Sequence, residues 1–236
     1  MTQTAIVIPA LNEARTIAAV LASAKQLAVD EIIVVDDGSD DDTARIAKRQ
    51  GVTVLSHVSS RSAWLAMQTG MRYAVKRGYT RVLTMDADGQ HTAESAQTLL
   101  NTTVKADALL IGSCPARGSR LRHTAWWMFR RLTGLKVGDI TSGLRLYSGK
   151  ALHAAVSRQA SMLEYQDVGV LLLMSHLALD IREVQVPMRE RVGDKSRIFS
   201  SWGKVIYYMI TTLLLCAAKA FPQKSAKLEK RLTHAD

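Results

Sequence analysis

Short, solidly apolar runs recur along the first half of the chain, each followed by a segment with helical spacing. They occupy 5–8 (Ala5, Ile6, Val7, Ile8), 32–35 (Ile32, Ile33, Val34, Val35), 52–55, 81–85 and 108–111. Such runs do not alternate apolar with polar residues, so a strand built from them needs cover on both faces. Between the first two, Ile17, Val20, Leu21, Ala24 and Leu27 share one helical face, with Asn12 as the predicted N-cap. Pro9 is predicted to stop the first strand. Helices are predicted over 43–50, 63–77 and 92–105. Strand and helix in alternation predict an α/β fold with a parallel sheet covered by helices on both faces.

Polar clusters follow these strands. Asn12 and Glu13 follow the first, Asp36-Asp37-Gly38-Ser39 the second, and Asp86-Ala87-Asp88-Gly89-Gln90-His91 the fourth. In open α/β sheets ligands sit at the carboxyl ends of strands, so the clusters are predicted to converge on one site. Two carboxylates at Asp86 and Asp88, with Gly89 to turn the chain sharply, are hard oxygen ligands of the kind that bind Mg²⁺ or Mn²⁺ beside a phosphate. An ordinary acidic turn is the competing reading of that pair taken alone. Beyond 138 the pattern changes. Asp139 to Arg145 reads as a loop entering a short strand, 164–176 as a helix, 181–187 as a strand and 189–200 as a basic loop.

The net charge is +10, from 31 Lys and Arg against 21 Asp and Glu. Its distribution matters more than its size. Residues 114–138 hold six basic and no acidic side chains, and 189–236 hold ten basic and four acidic, whereas 1–113 are slightly acidic. No helix-turn-helix, zinc-finger or RNP-like pattern accompanies the basic stretches, so nucleic acid is not the predicted partner. No G-x-G-x-x-G or Walker-type loop is present either. Two cysteines, Cys114 and Cys216, make no disulfide framework and point to a reducing compartment. The first apolar run is too short for a signal-peptide core, so no secretory leader is expected.

Residues 205–218 are uncharged. A span needs roughly 20 apolar residues, so this stretch reads either as a helix packed on the domain or as one lying in a membrane surface, with Lys224, Lys227, Lys230 and Arg231 beyond it. The expected organisation is a catalytic domain over 1–200, an amphipathic interfacial helix over 201–222 and a basic tail over 223–236.

Taken in order, the motifs resemble those of the family 2 glycosyltransferases with the GT-A fold. Pro9-Ala10-Leu11-Asn12-Glu13 is similar to their opening P-x-x-N-E, and Val35 to Ser39 with Asp42-Thr43 to V-D-D-G-S-x-D-x-T. Asp86 to His91 matches D-A-D-G-Q-H, and Asp139 to Arg145 matches D-x-x-S-G-x-R. Arg191 to Arg197 is similar to the R-x-x-G-x-S-K loop of the branch that resembles dolichyl-phosphate mannose synthase. The resemblance implies an α/β fold of the Rossmann-like GT-A type, with a mixed, mostly parallel sheet and helices on both faces, and an inverting, metal-dependent transferase using a nucleotide-sugar. Pro9, Asn12, Glu13, Asp36 and Asp37 would bind the donor with Asp86, Ala87 and Gln90, and Asp86, Asp88 and Gln90 would hold the metal. The chain departs from the pattern at Leu11, at Ser60-Arg61-Ser62-Ala63-Trp64 in place of N-x-G-x-G, at Cys114 and at Arg197. Trp64 is expected to add bulk near the donor.

A phosphate acceptor needs cations more than a base, since its second pKa of about 6 leaves it largely dianionic at neutral pH. Arg117, Arg191, Lys195, Ser196 and Arg197 suit that need. A polyprenyl phosphate is therefore the preferred acceptor, with a saccharide hydroxyl, or a non-catalytic scaffold of the same fold, as alternatives. Asp139 is the candidate base or acceptor-orienting carboxylate, with Asp88 as the second catalytic candidate. Glu164 and Asp167 stand behind Asp139, and all three are alternatively ion-pair partners of Arg145. The segment with Trp126, Trp127 and Phe129 reads either as a membrane-surface helix or as a core helix with a basic outer face. A cytoplasmic enzyme, peripheral on the cytoplasmic face of an anionic membrane, is the expected location.

Overall fold

A computed structural model describes residues 3–103, 106–114, 120–163, 166–189, 207 and 210–214. Within them lie strands β1 (Thr4–Ala10), β2 (Glu31–Asp36), β3 (Thr53–Ser56), β4 (Arg81–Thr84), β5 (Ala108–Ser113), β6 (Arg145–Ser148) and β7 (Asp180–Gln185). The helices are α1 (Ile17–Ala24), α2 (Thr43–Arg49), α3 (Ala63–Lys76), α4 (Ala93–Asn101), α5 (Arg120–Thr133), α6 (Lys150–Ala155), α7 (Arg158–Ser161) and α8 (Val168–His176).

The strands form one seven-stranded sheet in the order β3-β2-β1-β4-β6-β5-β7. All neighbours are parallel except β6, which runs antiparallel to both β4 and β5. Alternate residues of each strand serve opposite faces. Ala5, Val7, Ile33 and Val35 join one core under α3, α5, α6 and α8, while Ile6, Ile8 and Val34 join the other under α1, α2 and α4. This two-sided burial is why the strands read as solid apolar runs. Helix α8 is buried from Val168 through Met174, so it has no polar face to show.

Three local expectations need correction. Pro9 does not end β1, which continues to Ala10 with Pro9 opposite Val35. The Met85 amide donates to the Val7 carbonyl, so by alternation the Pro9 nitrogen also faces the β4 side, where that strand has already ended and no donor is needed. Asn12 does not cap α1, whose N-cap is Thr16. Helix α4 stops at Asn101 because Thr102 turns extended, short of the expected 105.

Helix α5 packs one face into the core. Trp126 and Phe129 are buried in the core, while Trp127 and Leu132 are 61% and 57% exposed. Around 207–214, Thr212 is buried and Leu213 packs on the same core, whereas Tyr207, Ile210 and Leu214 are exposed at helical spacing. No helix among the described residues is long and apolar enough to cross a membrane.

Candidate functional site

The carboxyl ends of β1, β2, β3, β4, β5 and β7 lie along one edge of the sheet. Because β6 is antiparallel, its amino end at Arg145, opposite Thr84, lies on that edge too. The loop carrying Asp139 therefore arrives beside the loop carrying Asp86 and Asp88.

On the first side, the Asn12 amide donates to Ser39 Oγ at 2.9 Å, and Asn12 Oδ1 accepts the Asp40 amide at 2.9 Å. Asn12 sits at φ +53, which an Asn tolerates better than most residues. Its predicted capping role is thus replaced by stitching the first loop to the second. The Glu13 amide donates to Thr43 Oγ1 at 2.8 Å, and its carboxylate accepts the Thr16 hydroxyl at 3.0 Å. Asp41 braces the same junction by accepting the Ala14 amide. Burial tends to raise the Asp41 carboxyl, but hydrogen bonds from Thr43 and from the Thr43 and Ala14 backbone outweigh it and hold it below its ordinary 3.8.

Asp36 and Asp37 are both buried. Asp36 accepts the Ser39 amide at 3.2 Å. Asp37 gathers the loop after β3, accepting the Ser60 hydroxyl at 2.9 Å, the Arg61 amide at 3.0 Å and the Ser62 amide at 3.2 Å. His57 bridges from Asp37 Oδ1 at 2.7 Å to Thr69 Oγ1 at 3.0 Å. Asp37 thus organises the segment whose motif departs from the family pattern. Trp64 does not enter the site. It is buried, with its indole N–H donating to the Ala160 carbonyl at 2.8 Å, so its bulk fills the core instead of the donor side.

On the second side, Gly89 at φ +79 turns the chain as expected, and Asp88 Oδ1 accepts the Gln90 amide at 3.0 Å. His91 has a fully buried side chain, and its Nε2 stands 3.1 Å from Asp86 Oδ2. A carboxylate accepts, so Nε2 carries the proton, and Nδ1 is left buried without a hydrogen-bond partner. Gly143 lies directly against Asp86. A Cβ there would stand 2.5 Å from Oδ1 and 2.6 Å from Cγ. The Thr84 hydroxyl ties the same glycine down by donating to its carbonyl at 2.8 Å.

Asp139 is buried. Its Oδ1 accepts the Thr141 hydroxyl at 3.2 Å, and its Oδ2 lies 3.4 Å from the Cys114 amide. Arg145, also wholly buried, donates to the carbonyls of Ser142, Gln166 and Ile140. Asp167 is the N-cap of α8, accepting the Val168 amide. Behind these, burial pushes the Tyr147 phenol above its ordinary 10.0, against the opposing effects of Arg145 and Gln166. The chain leaving β7 crosses back over the second loop. His91 bridges Met188, and the Arg189 amide donates to the Gln90 carbonyl at 2.9 Å. The basic segment therefore departs from Gln90. Arg117, Glu164, Arg191, Lys195, Ser196 and Arg197 lie outside the described residues.

Among the described residues no three His, Cys, Asp or Glu side chains cluster as a closed metal cage. Mg²⁺ and Mn²⁺ do not require one, since they bind through one or two carboxylates completed by phosphate and water. Asp86 and Asp88 supply that donor set, and the missing Cβ at Gly143 leaves the Asp86 carboxylate its space, so the residues present fit such an ion.

His91, Gly143, His57 and Glu183, whose carboxylate accepts the Gly138 and Asp139 amides at 2.7 Å, shape the candidate site without standing out in the sequence. His91 and Gly143 belong to motifs already quoted, and their place in those motifs was the available signal. His57 and Glu183 offered none.

The family model described as Glycosyl transferase family 2 matches residues 5–157. The chain is 29% identical over 167 residues to a polyprenol monophosphomannose synthase of Mycolicibacterium smegmatis, covering 64% of this chain and 63% of that protein. It is 32% identical over 164 residues to an undecaprenyl-phosphate mannosyltransferase of Micrococcus luteus, covering 63% of this chain and 67% of that protein. Its fold is shared with glucosyl-3-phosphoglycerate synthase from Mycobacterium tuberculosis, solved with Mn²⁺, UDP and phosphoglyceric acid. That similarity has a TM-score of 0.72 at 24% identity and covers 95% of this chain and 81% of the other.

Proposed function

The chain belongs to glycosyl transferase family 2, and on that premise we propose that it transfers a sugar from a nucleoside-diphosphate sugar to a polyprenyl phosphate, inverting the anomeric centre in one in-line displacement. An oxygen of the acceptor phosphate forms the new bond to the anomeric carbon. The bond from that carbon to the β-phosphate oxygen breaks, and the nucleoside diphosphate leaves with the electron pair.

Pro9, Asn12, Glu13, Asp36 and Asp37 form the nucleoside side. Asp36 and Asp37 act there largely by ordering loops. Asp86, Ala87, Asp88 and Gln90 face the diphosphate. Asp86 and Asp88, with Gln90, would hold Mg²⁺ or Mn²⁺, which when bound stabilises the charge developing on the leaving diphosphate. The acceptor arrives dianionic, so no proton has to be removed before attack. Asp139 then orients the acceptor side, and it supplies the base if the acceptor is a hydroxyl instead. Arg117, Arg191, Lys195, Ser196 and Arg197 bind the acceptor phosphate, with arginine giving bidentate contacts. The exposed Trp127, Leu132, Tyr207, Ile210 and Leu214 support a peripheral position at a membrane surface, which on this reading is anionic and is met from the cytoplasmic side.

The observation that carries the acceptor assignment is the Arg189–Gln90 backbone bond, because it roots the basic segment at the proposed metal loop. Relatives named for polyprenol and undecaprenyl phosphate support the same reading. The test screens nucleotide-sugars by thermal shift with and without Mn²⁺, since a ligand that binds only the native state raises its stability. Transfer from the best donor to undecaprenyl phosphate is then compared with transfer to free sugars. Metal-dependent transfer to the lipid phosphate, lost at least a hundredfold in Asp88→Ala, is expected. Undiminished transfer by that variant refutes the metal assignment, and exclusive transfer to sugar hydroxyls refutes the acceptor.

A further inference from the structure

We propose that Glu183 and Arg145 are positioning residues that hold the 138–143 loop from its two ends and so fix Asp139 against the donor side of the site. The proposal rests on the reading that Asp139 acts in the transfer.

Glu183 lies on β7, which is separated from β4 by β6 and β5. Its Oε2 accepts the Gly138 amide at 2.7 Å and its Oε1 accepts the Asp139 amide at 2.7 Å. Two consecutive backbone donors on one carboxylate fix both position and direction, and a charged acceptor makes such bonds short and strong. Gly138 permits the approach, because a Cβ there would already stand 3.2 Å from Oε2.

The other end is held through carbonyls. Arg145 is fully buried, a costly placement unless its donors are met. Its Nε donates to Ser142 O at 2.9 Å, its Nη2 to Ile140 O at 2.8 Å and its Nη1 to Gln166 O at 2.6 Å. An anion thus collects the loop's first amides and a cation collects its later carbonyls. Asp139 stands between the two anchors, and Gly143, just past the second, abuts the Asp86 carboxylate. Neither anchor needs to touch substrate. Glu183 acts through the amide of Asp139 itself, and Arg145 through the carbonyls of Ile140 and Ser142 that follow it.

Glu183→Gln tests this, because it keeps the shape but turns an amide N–H₂ toward a backbone N–H. Turnover is measured with undecaprenyl phosphate and the nucleotide-sugar giving the largest Mn²⁺-dependent thermal shift. The variant is expected to lose about tenfold in kcat with donor KM changed less than twofold. In an Asp139→Asn background the same change is expected to cost less than twofold more, because its effect runs through Asp139. Hydrogen exchange over 138–143 is expected to rise in Glu183→Gln and reads the anchor independently of activity. Unchanged exchange overturns the anchor. A full tenfold loss in the Asp139→Asn background overturns action through Asp139. Wild-type turnover in Asp139→Asn, with exchange still raised by Glu183→Gln, traces the failure to the reading of Asp139 and overturns the positioning role with it.

Discussion

Gly143→Ala is the smallest change that separates the proposed chemistry from the fold. Gly143 has no left-handed backbone requirement, so the alanine is not strained by its own φ. It fails for space. A Cβ would stand 2.5 Å from Asp86 Oδ1, whereas ordinary van der Waals contact begins near 3.4 Å, so the carboxylate must retreat by about 1 Å. That retreat pulls against its 3.1 Å bond to His91. Misplacing a catalytic group by about 1 Å can cost about a hundredfold, or about 2.7 kcal/mol of transition-state stabilisation. Leaving buried His91 without its partner costs about 1–3 kcal/mol of stability, and each kcal/mol lowers Tm by about 2–4 °C in a domain of this size. The assay pairs titration calorimetry, using Mn²⁺ with the nucleoside diphosphate of the donor that gives the largest Mn²⁺-dependent thermal shift, with transfer kinetics and a thermal melt. Gly78→Ala is the control. Gly78 sits at φ +90 with open space around it, in the turn between α3 and β4, at the opposite edge of the sheet from the site. It should lose about 1–2 kcal/mol of stability and keep its metal affinity. A folded Gly143→Ala protein with wild-type affinity for Mn²⁺ and that nucleoside diphosphate, and kcat/KM within threefold, would refute the reasoning.

Two other perturbations probe the surrounding structure. His91→Phe keeps the ring-sized volume but removes the donor to Asp86. It should weaken binding of Mn²⁺ with the screened nucleoside diphosphate about tenfold or more if Asp86 is the proposed ligand, as loss of an outer hydrogen bond to a metal ligand commonly does, measured by calorimetry. Tyr147 is fully buried with its phenol raised above 10.0, so its contribution to stability is complete below pH 10 and is lost as pH climbs through the raised value. Tyr147→Phe should therefore lessen the alkaline fall in stability seen by denaturant melts between pH 9 and 11, and an unchanged slope would contradict the assignment.

The strand cores were legible because burial on both faces leaves no room for polar residues, as at Ile6, Val7, Ile33 and Val34. Their ends were not. Pro9 reads as a stop until the neighbouring strand is known to finish earlier. The antiparallel insertion of β6 was also hidden, since four residues, Arg145 to Ser148, carry no directional signal of their own. Asp86, Asp88, Asp37 and Asp139 could be named from motifs, but their division of labour could not. Asp37 proves to be tied to the loop after β3 by Ser60, Arg61, Ser62 and His57. Glu183 was invisible because its partners, Gly138 and Asp139, lie 45 and 44 residues away in the chain. Trp64 misled because its sequence neighbours belong to the site while its side chain belongs to the core.

The strand order also dictates a sequence of assembly. β5 is made before β6, yet β6 occupies the place between β4 and β5. Until residues 145–148 are available, β4 and β5 each present an unpaired edge of apolar strand, with Val82, Leu83, Leu109 and Leu110 among the residues awaiting cover. β1, β2, β3 and β4 can close on one another with no contribution from later chain. The half that carries Asn12, Asp37 and Asp86 can therefore pair its strands early, and the wedge that completes the sheet is also what brings in the loop of Asp139. Closing that gap over a long loop is slow relative to local helix formation, so the newborn protein's aggregation hazard is concentrated in the interval before β6 docks.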